Sequence, residues 1–393
     1  MKKTALFYFL IITSVYSELF SQNEKVIYLK SVEINNIQLI SAKSLTDARI
    51  LEQKTMVNIQ DPMVEYAYLP GNSDAIGVKS TFGVSQEFDF PTVYITRKKR
   101  TRNNIKSIHS DYQEIRREIL LKAALNWNQY IYLNKLLAEY QKRLDNAVKM
   151  YTSYSAKLEK GTASILDVNK AKILYLSSKN KHANIRQELE NLYKEMVLIN
   201  GGKEFKCDFF QYTYNDLQPI EEIKEELINN HPHLYGLESR MESAKLNASI
   251  KKQEWLPTIN IGYEAENEPD GIYSGIRAGI SIPLWQKKNT VNYANAQYKY
   301  TQSVYYLNKE QIIIELEINY NKCLQNKSML NEYDEILQTN IDIQYIEKAL
   351  NLGQISIIEY INELTMYYEI VDLYLQTEKN FHQNLIKLYS FKL

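Results

Sequence analysis

The chain has 393 residues, 47 Lys+Arg against 47 Asp+Glu, 45% hydrophobic side chains and two cysteines. Charge neutrality excludes a global field that would recruit nucleic acid or an acidic partner. Two thiols without CxxC or Cys/His spacing give no zinc or redox centre, and no HExxH, GxSxG or phosphate-cradling loop is present. No catalytic residue, cofactor or metal is expected. Cys207 and Cys323 are read as packing residues, with their pairing in an oxidising compartment left open.

At the amino terminus Lys2 and Lys3 precede an apolar run, Thr4 to Tyr16, and small residues at Ser17 and Ser21. That order predicts a signal peptide over 1–21, cleaved before Gln22. No later stretch reaches the ~18–20 apolar residues of a membrane helix. Entry into a membrane would therefore have to be as a β-barrel, the other closed way to satisfy backbone polar groups in lipid. The 32 tyrosines suit both wet helical seams and membrane–water boundaries.

Glycine and proline show where regular structure can run unbroken. Four intervals lack both, 92–160, 162–200, 284–352 and 354–393, so a long–short pair occurs twice. Pro91 and Pro283 are 192 residues apart, as are Gly161 and Gly353. Two landmarks on one offset identify a duplicated unit. The first repeat covers 22–215, with a short helix near 36–58, a β-hairpin about 63–90 and a helical hairpin about 97–200. The second covers 216–393, with a short helix near 234–254, a β-hairpin about 258–283 and a helical hairpin about 288–390.

Strict alternation marks the strands. Ile259, Ile261 and Tyr263 alternate with Asn260, Gly262 and Glu264, and the pattern resumes after Glu268-Pro269-Asp270-Gly271 through Ile272 to Ile282. In the first half Met63–Leu69 and Ile76–Phe90 flank Pro70-Gly71-Asn72-Ser73-Asp74, with Val84, Phe88 and Phe90 on the apolar face. The long intervals carry heptads. Tyr130, Leu137, Leu144 and Tyr151 recur every seven residues, with Leu133, Tyr140, Ala147 and Tyr154 three residues on. His182 falls on the corresponding seam of the second interval and reads as a buried packing imidazole. About sixty helical residues reach ~90 Å, so Gly161 and Gly353 read as the tips of two long hairpins. Ser164 and Ser356 are candidate caps of the returning helices, with Asp167 and Glu359 as capping-box carboxylates.

Four strands cannot close a barrel, so several chains are needed. The fold class expected is an α+β membrane protein. From 35 to 393 the sequence resembles the TolC-like outer-membrane efflux family. The resemblance rests on Leu256-Pro257-Thr258-Ile259-Asn260-Ile261-Gly262, on Gly279-Ile280-Ser281-Ile282-Pro283-Leu284, and on Gly161-x5-Asp167 and Gly353-x5-Glu359. It implies a homotrimer in the cell outer membrane, whose three copies form a 12-stranded β-barrel continued by a periplasmic α-helical coiled-coil barrel, the periplasmic tunnel. It also implies contact with outer-membrane lipid, a periplasmic adaptor and an inner-membrane pump. Phe82 to Pro91 resembles members that accompany resistance-nodulation-division pumps for heavy metals, which favours that pump class over ABC and metal cations as cargo. Set against longer members, the resemblance implies a chain without their carboxy-terminal extension after the last helix.

The resemblance also assigns roles. Gly161, Ser164, Asp167, Gly353 and Ser356 would form adaptor-docking tips, and Glu359, Asn362 and Glu363 a periplasmic gate whose carboxylate ring favours cations. Asn362 stands where the family carries an acid. Capping alone is the competing reading of Asp167 and Glu359. The basic run Arg97-Lys98-Lys99-Arg100-Thr101-Arg102 reads as a solvated cluster just below the bilayer, since export argues against nucleic acid. His231 and His233 flank Pro232 in a helix-entry turn. Two other functions stay open, a type I protein-secretion duct and a periplasmic coiled-coil adaptor.

Overall fold

The structure, a computed structural model, describes residues 24–72, 77–207, 210–212, 217–338 and 343–393. The expected signal peptide, 1–21, and the hairpin residues Ser73 and Asp74 lie outside the described residues. Residues 24–35 are helical (α1). Then come α2 (Ile37–Thr55), β1 (Met63–Pro70), β2 (Val78–Phe88), α3 (Pro91–Glu159) and α4 (Ile165–Ile199). The chain continues with α5 (Ile220–Asn230), α6 (Pro232–Gln253), β3 (Thr258–Glu268), β4 (Gly271–Ser281), α7 (Thr290–Gln338), α8 (Ile343–Asn351) and α9 (Ile357–Leu388). A 3-10 turn, Ser390–Lys392, follows. Two compact units form, and each draws on both halves of the sequence. One holds the segments up to Ser41, Ile115–Leu227 and Ile313–Leu393; the other holds Ala42–Glu114 and Ile228–Ile312.

In the second unit the four strands make one antiparallel sheet in the order β1-β2-β3-β4. Its register sorts the side chains by chemistry. Val64, Val84, Tyr263 and Ile276 are cross-strand partners on one face, as are Tyr66, Phe82, Ala265 and Ser274. The opposite face carries Glu65, Gly83, Glu264 and Gly275 in one row and Met63, Ser85, Gly262 and Arg277 in the next. Strand alternation produces this division, because a period of two sends neighbouring residues to opposite faces. Among the described residues nothing covers the apolar face, and Ile276 is 85% exposed. β2 ends at Phe88, so Phe90, expected on that face, lies beyond the strand.

The same unit pairs the first turns of α3 with the end of α6. Pro91 opens α3, where a missing N–H costs nothing. Thr96 Oγ1 donates to Gln253 Oε1 at 3.1 Å, Arg100 Nη1 to Asn247 Oδ1 at 2.8 Å, and Arg240 Nε to Ser107 Oγ at 2.9 Å, an antiparallel ladder. The basic run is therefore only partly solvated, which corrects the sequence reading. Arg97 pairs with Asp89 at 2.9 Å, and burial, with Arg97 nearby, lowers the Arg100 pKa. Lys98, Lys99 and Arg102 remain exposed. His231 caps α6 with Pro232 at its first position, and His233 Nε2 lies 3.3 Å from Asn308 Oδ1.

The first unit is built on helical seams. Trp127, Tyr28, Val32, Ala123 and Met196 form its largest core cluster, and Tyr28 Oη donates to the Met196 carbonyl at 3.2 Å. Asn36 separates α1 from α2: its Nδ2 donates to the Ile199 carbonyl at 2.8 Å and its Oδ1 accepts from Leu39 N at 3.0 Å. In α3 the companion heptad row Leu133, Tyr140 and Ala147 is buried, whereas Tyr130, Leu137, Leu144 and Tyr151 are half-buried. His182 is only half-buried, contrary to expectation. In this unit it is His382 on α9 that is buried, stacked on Tyr212 with ring centroids 4.3 Å apart. Cys323 lies in the cluster of Leu330, Phe381 and Leu385, while Cys207 packs against the Trp127 cluster, and no disulfide joins the two.

Candidate functional site

The two glycines that divide the helical intervals end α3 and α8 in the same way. Gly161 has φ 72° and Gly353 φ 70°. A Cβ at either position would meet nothing within 4 Å, so the left-handed backbone, not space, calls for glycine. Gly161 N donates to the Leu158 carbonyl at 2.9 Å and Thr162 N to that of Lys157 at 2.8 Å. Gly353 N and Gln354 N donate to Leu350 and Ala349 at 3.1 and 2.9 Å, the same closure 192 residues later.

Each returning helix then starts on a capping box. Asp167 N donates to Ser164 Oγ at 3.2 Å, and Ser164 N to Asp167 Oδ2 at 3.1 Å. Glu359 N donates to Ser356 Oγ at 3.3 Å, and Ser356 N to Glu359 Oε2 at 2.7 Å. These bonds satisfy helix-end donors that would otherwise have no partner. The hydroxyl and N–H of Ser164, with Lys170 nearby, hold the Asp167 carboxyl below the usual range. The Ser356 N–H and hydroxyl do the same for Glu359. Both carboxylates stay ionised at neutral pH.

The structure brings the two tips together. Met150 of α3, Ala171 of α4, and Ile357, Tyr360 and Leu364 of α9 form one buried cluster, bordered by Leu350 of α8. Glu359, Asn362 and Glu363 share the exposed face of α9, three and four residues apart.

Sequence reasoning missed a polar clasp farther along the same helices. Arg143 of α3 is 5% exposed between the rings of Tyr140 and Tyr368, with its guanidinium carbon 4.3 Å from each centroid. It pairs with Asp372 at 2.7 Å and with Glu139 at 3.4 Å, and Tyr140 Oη donates to Asp372 Oδ2 at 2.9 Å. Burial, then that hydrogen bond, pushes the Tyr140 hydroxyl up to about 12. Arg143 adjoins the seam residue Leu144, so a search for apolar heptads passes over it. The polar sheet face is the one the alternation assigned to Asn260, Gly262 and Glu264, but its ion pairs were not foreseen. Lys79 there pairs with Glu266 and Glu268, both at 2.9 Å, and Arg277 with Glu264 at 3.5 Å. This face borders a hollow of about 250 Å³ lined by Glu65, Ser85, Asn260 and Arg277, among others.

Among the described residues no cluster of His, Cys, Asp and Glu is placed to hold a metal ion. Among them, too, no helix is long and apolar enough to cross a membrane.

No protein-family model matches the chain. Two curated relatives do: an uncharacterized protein of Haemophilus influenzae, 20% identical over 267 residues, and the toxin and drug export protein A of Aggregatibacter actinomycetemcomitans, 21% identical over 269 residues. Each alignment covers 63% of this chain and 58% of the relative, so the chain spans less than two thirds of either. Among solved structures, CusC, studied for transmembrane channel formation, superposes with a TM-score of 0.78 at 14% identity over 94% of this chain and 92% of its own. The outer-membrane channel OprN gives 0.79 at 11% identity over 94% and 89%. The chain thus has the fold of the TolC-like outer-membrane efflux channels, as its tip motifs and strand pattern suggested.

Proposed function

We propose that the chain is the outer-membrane exit duct of a tripartite efflux system, a passive conduit fed by a periplasmic adaptor and an inner-membrane pump. The observation that carries this reading is the sheet. It has one apolar face without cover among the described residues, and its outer strands β1 and β4 each have an edge that no other strand of the sheet pairs. Its 11-residue strands are about 37 Å long, enough to cross a bilayer core at the usual barrel tilt. Lipid does not tolerate an open edge, so copies must close the sheet, and three give the 12-stranded barrel. A row on α7, Tyr293, Tyr300, Leu307 and Ile314, supports association, since large apolar side chains stay exposed at every seventh residue.

In this reading 22–215 and 216–393 are the two duplicated units, supported by matching tip closures. The tips at Gly161–Asp167 and Gly353–Glu359 dock the adaptor, and Glu359, Asn362 and Glu363 line the periplasmic gate. An RND-class pump is favoured over ABC by the resemblance around Phe82–Pro91. Metal cations as cargo fit the polar sheet face, which sets Glu65, Glu87, Glu264, Glu266 and Glu268 against Lys79 and Arg277. A second reading, a duct for protein secretion, is favoured by one observation, the toxin and drug export protein among the relatives.

Fractionation of the expressed chain, then cross-linking and mass determination after detergent extraction, tests the proposal. An outer-membrane trimer supports the duct; a soluble periplasmic monomer overturns it in favour of a coiled-coil adaptor.

A further inference from the structure

At the helix end of the sheet the chain's neutrality breaks locally. Segments 87–102, 251–258 and 281–290 hold nine Lys and Arg against three carboxylates. Those carboxylates are in part already engaged: Asp89 pairs with Arg97 at 2.9 Å, and Glu254 with Lys251 at 2.9 Å and Lys287 at 3.8 Å. The opposite end, by contrast, has Glu266, Glu268 and Asp270 against Lys79.

The positive charge is presented outward. Thr96 and Arg100 turn toward α6, which leaves Lys98, Lys99 and Arg102 exposed on the other side of α3. They lie ~10–16 Å along the helix axis from Pro91. Helical side chains lean toward the helix amino terminus, here toward the sheet, and long basic side chains extend that reach. That brings their charges to the headgroup layer, which is ~5–8 Å thick on each side of the bilayer core. Just past β4, Leu284 and Trp285 are 66% and 77% exposed, followed by exposed Lys288, and Trp255 before β3 is also exposed. Exposed indole beside exposed cations is the chemistry of a membrane boundary, where the ring sits among headgroups and the cation meets phosphate.

We propose that Lys98, Lys99, Arg102 and Lys288, with Trp255 and Trp285, form a docking belt for anionic phospholipid headgroups of the periplasmic leaflet. The inference rests on the sheet spanning the outer membrane. The belt would fix the depth of the barrel and favour phosphatidylglycerol over zwitterionic lipid.

The chain supplies its own probe. Of its three tryptophans, Trp127 is buried, whereas Trp255 and Trp285 are exposed at the proposed boundary. Full-length protein in neutral detergent would be titrated with brominated phosphatidylglycerol or brominated phosphatidylcholine while tryptophan quenching is recorded. The expected result is tighter binding of phosphatidylglycerol, with the preference falling about 100-fold in Lys98→Gln/Lys99→Gln/Arg102→Gln, from roughly tenfold or less per basic residue. Lys288→Gln, made separately, should lose a smaller share, and serves if the triple variant does not fold. Equal quenching by the two lipids, or an unchanged preference in the variants, overturns the belt. Abolition of the preference by inorganic phosphate at matched phosphorus would also overturn it, as a plain phosphate site. Outer-membrane fractionation and oligomer mass are read in parallel. If those hold while the preference is absent, only the belt fails.

Discussion

Arg143 on α3 grips Asp372 on α9 through two hydrogen bonds, Nη2 to Oδ1 at 2.7 Å and Nη1 to Oδ2 at 3.1 Å. The guanidinium is buried between two tyrosine rings, whereas the Asp372 side chain is 35% exposed. Arg143→Met keeps much of the volume and removes the charge. It should destabilise the helical unit by about 2–3 kcal/mol, less than the ~3–5 kcal/mol for fully buried pairs because water still reaches Asp372. Pairing it with Asp372→Leu should recover a good part of that loss in a double-mutant cycle of denaturant unfolding. Strict additivity would mean the pair is not coupled.

At the tips, Gly353→Ala should cost about 1–2 kcal/mol by forcing a Cβ into the left-handed region, although it meets no neighbour there. Gly353→Asn should cost less. Hydrogen exchange at residues 349–360 is the suitable readout, because local fraying is expected before global unfolding. Equal protection in all three proteins would refute the conformational argument.

Glu359→Gln separates capping from gating. The amide keeps an acceptor for Ser356 N but loses the charge of a carboxyl held below its usual range. A depressed acid contributes stability above its unfolded pKa and loses it as pH falls through the folded value. The capping contribution is therefore complete at neutral pH, and its loss is confined to acid. Single-channel recording should show weaker cation preference in the variant. Unchanged conductance and ion preference would leave Glu359 as a cap alone.

His382 gives the clearest pH dependence. Burial, reinforced by Lys135 and Lys25, lowers its pKa from 6.5 to about 3. Between those values the unfolded chain binds a proton that the folded chain refuses, so stability falls as pH drops below about 6.5. His382→Phe retains an aromatic ring against Tyr212 and removes the titration. Melting temperatures from pH 7 to 4 should decline less steeply in the variant, and parallel slopes would count against this assignment.

On the sheet, Ile276→Arg should lower outer-membrane yield, by analogy with the ~2–4 kcal/mol cost of Arg on a lipid-facing mid-bilayer site. Gly275→Arg, one residue away on the polar face, should insert far better. Immunoblots of membrane fractions compare them, and equal yields would contradict the assignment of faces.

How much of this was legible in sequence depended on how local the cause was. Gly161, Gly353 and the Ser-x-x-acid caps are settled within one helical turn, and their geometry follows from residue type. The strands were legible because alternation is local as well, whereas the ion pairs across the polar face depend on strand register, which is not. α1 and α5 were missed. In α5 the buried pair Ile223 and Leu227 gives only four-residue spacing in a short segment, and in α1 the pattern of Tyr28 and Val32 runs up to Asn36, not to a glycine or proline. That His382, which sequence reading did not single out, is buried while His182 is half-buried is not a local matter at all. Tyr212, from a connecting segment far away in the chain, covers His382, and no heptad count contains that information.

A sheet with two open edges also has a genetic consequence. If copies close it edge to edge as proposed, each β1 must meet another copy's β4, so one copy with a damaged edge leaves a gap in every assembly it joins. A defect confined to β4 should therefore be dominant. Co-expressed with normal chains, it would silence most of the channels, whereas a chain that never folds would merely dilute them.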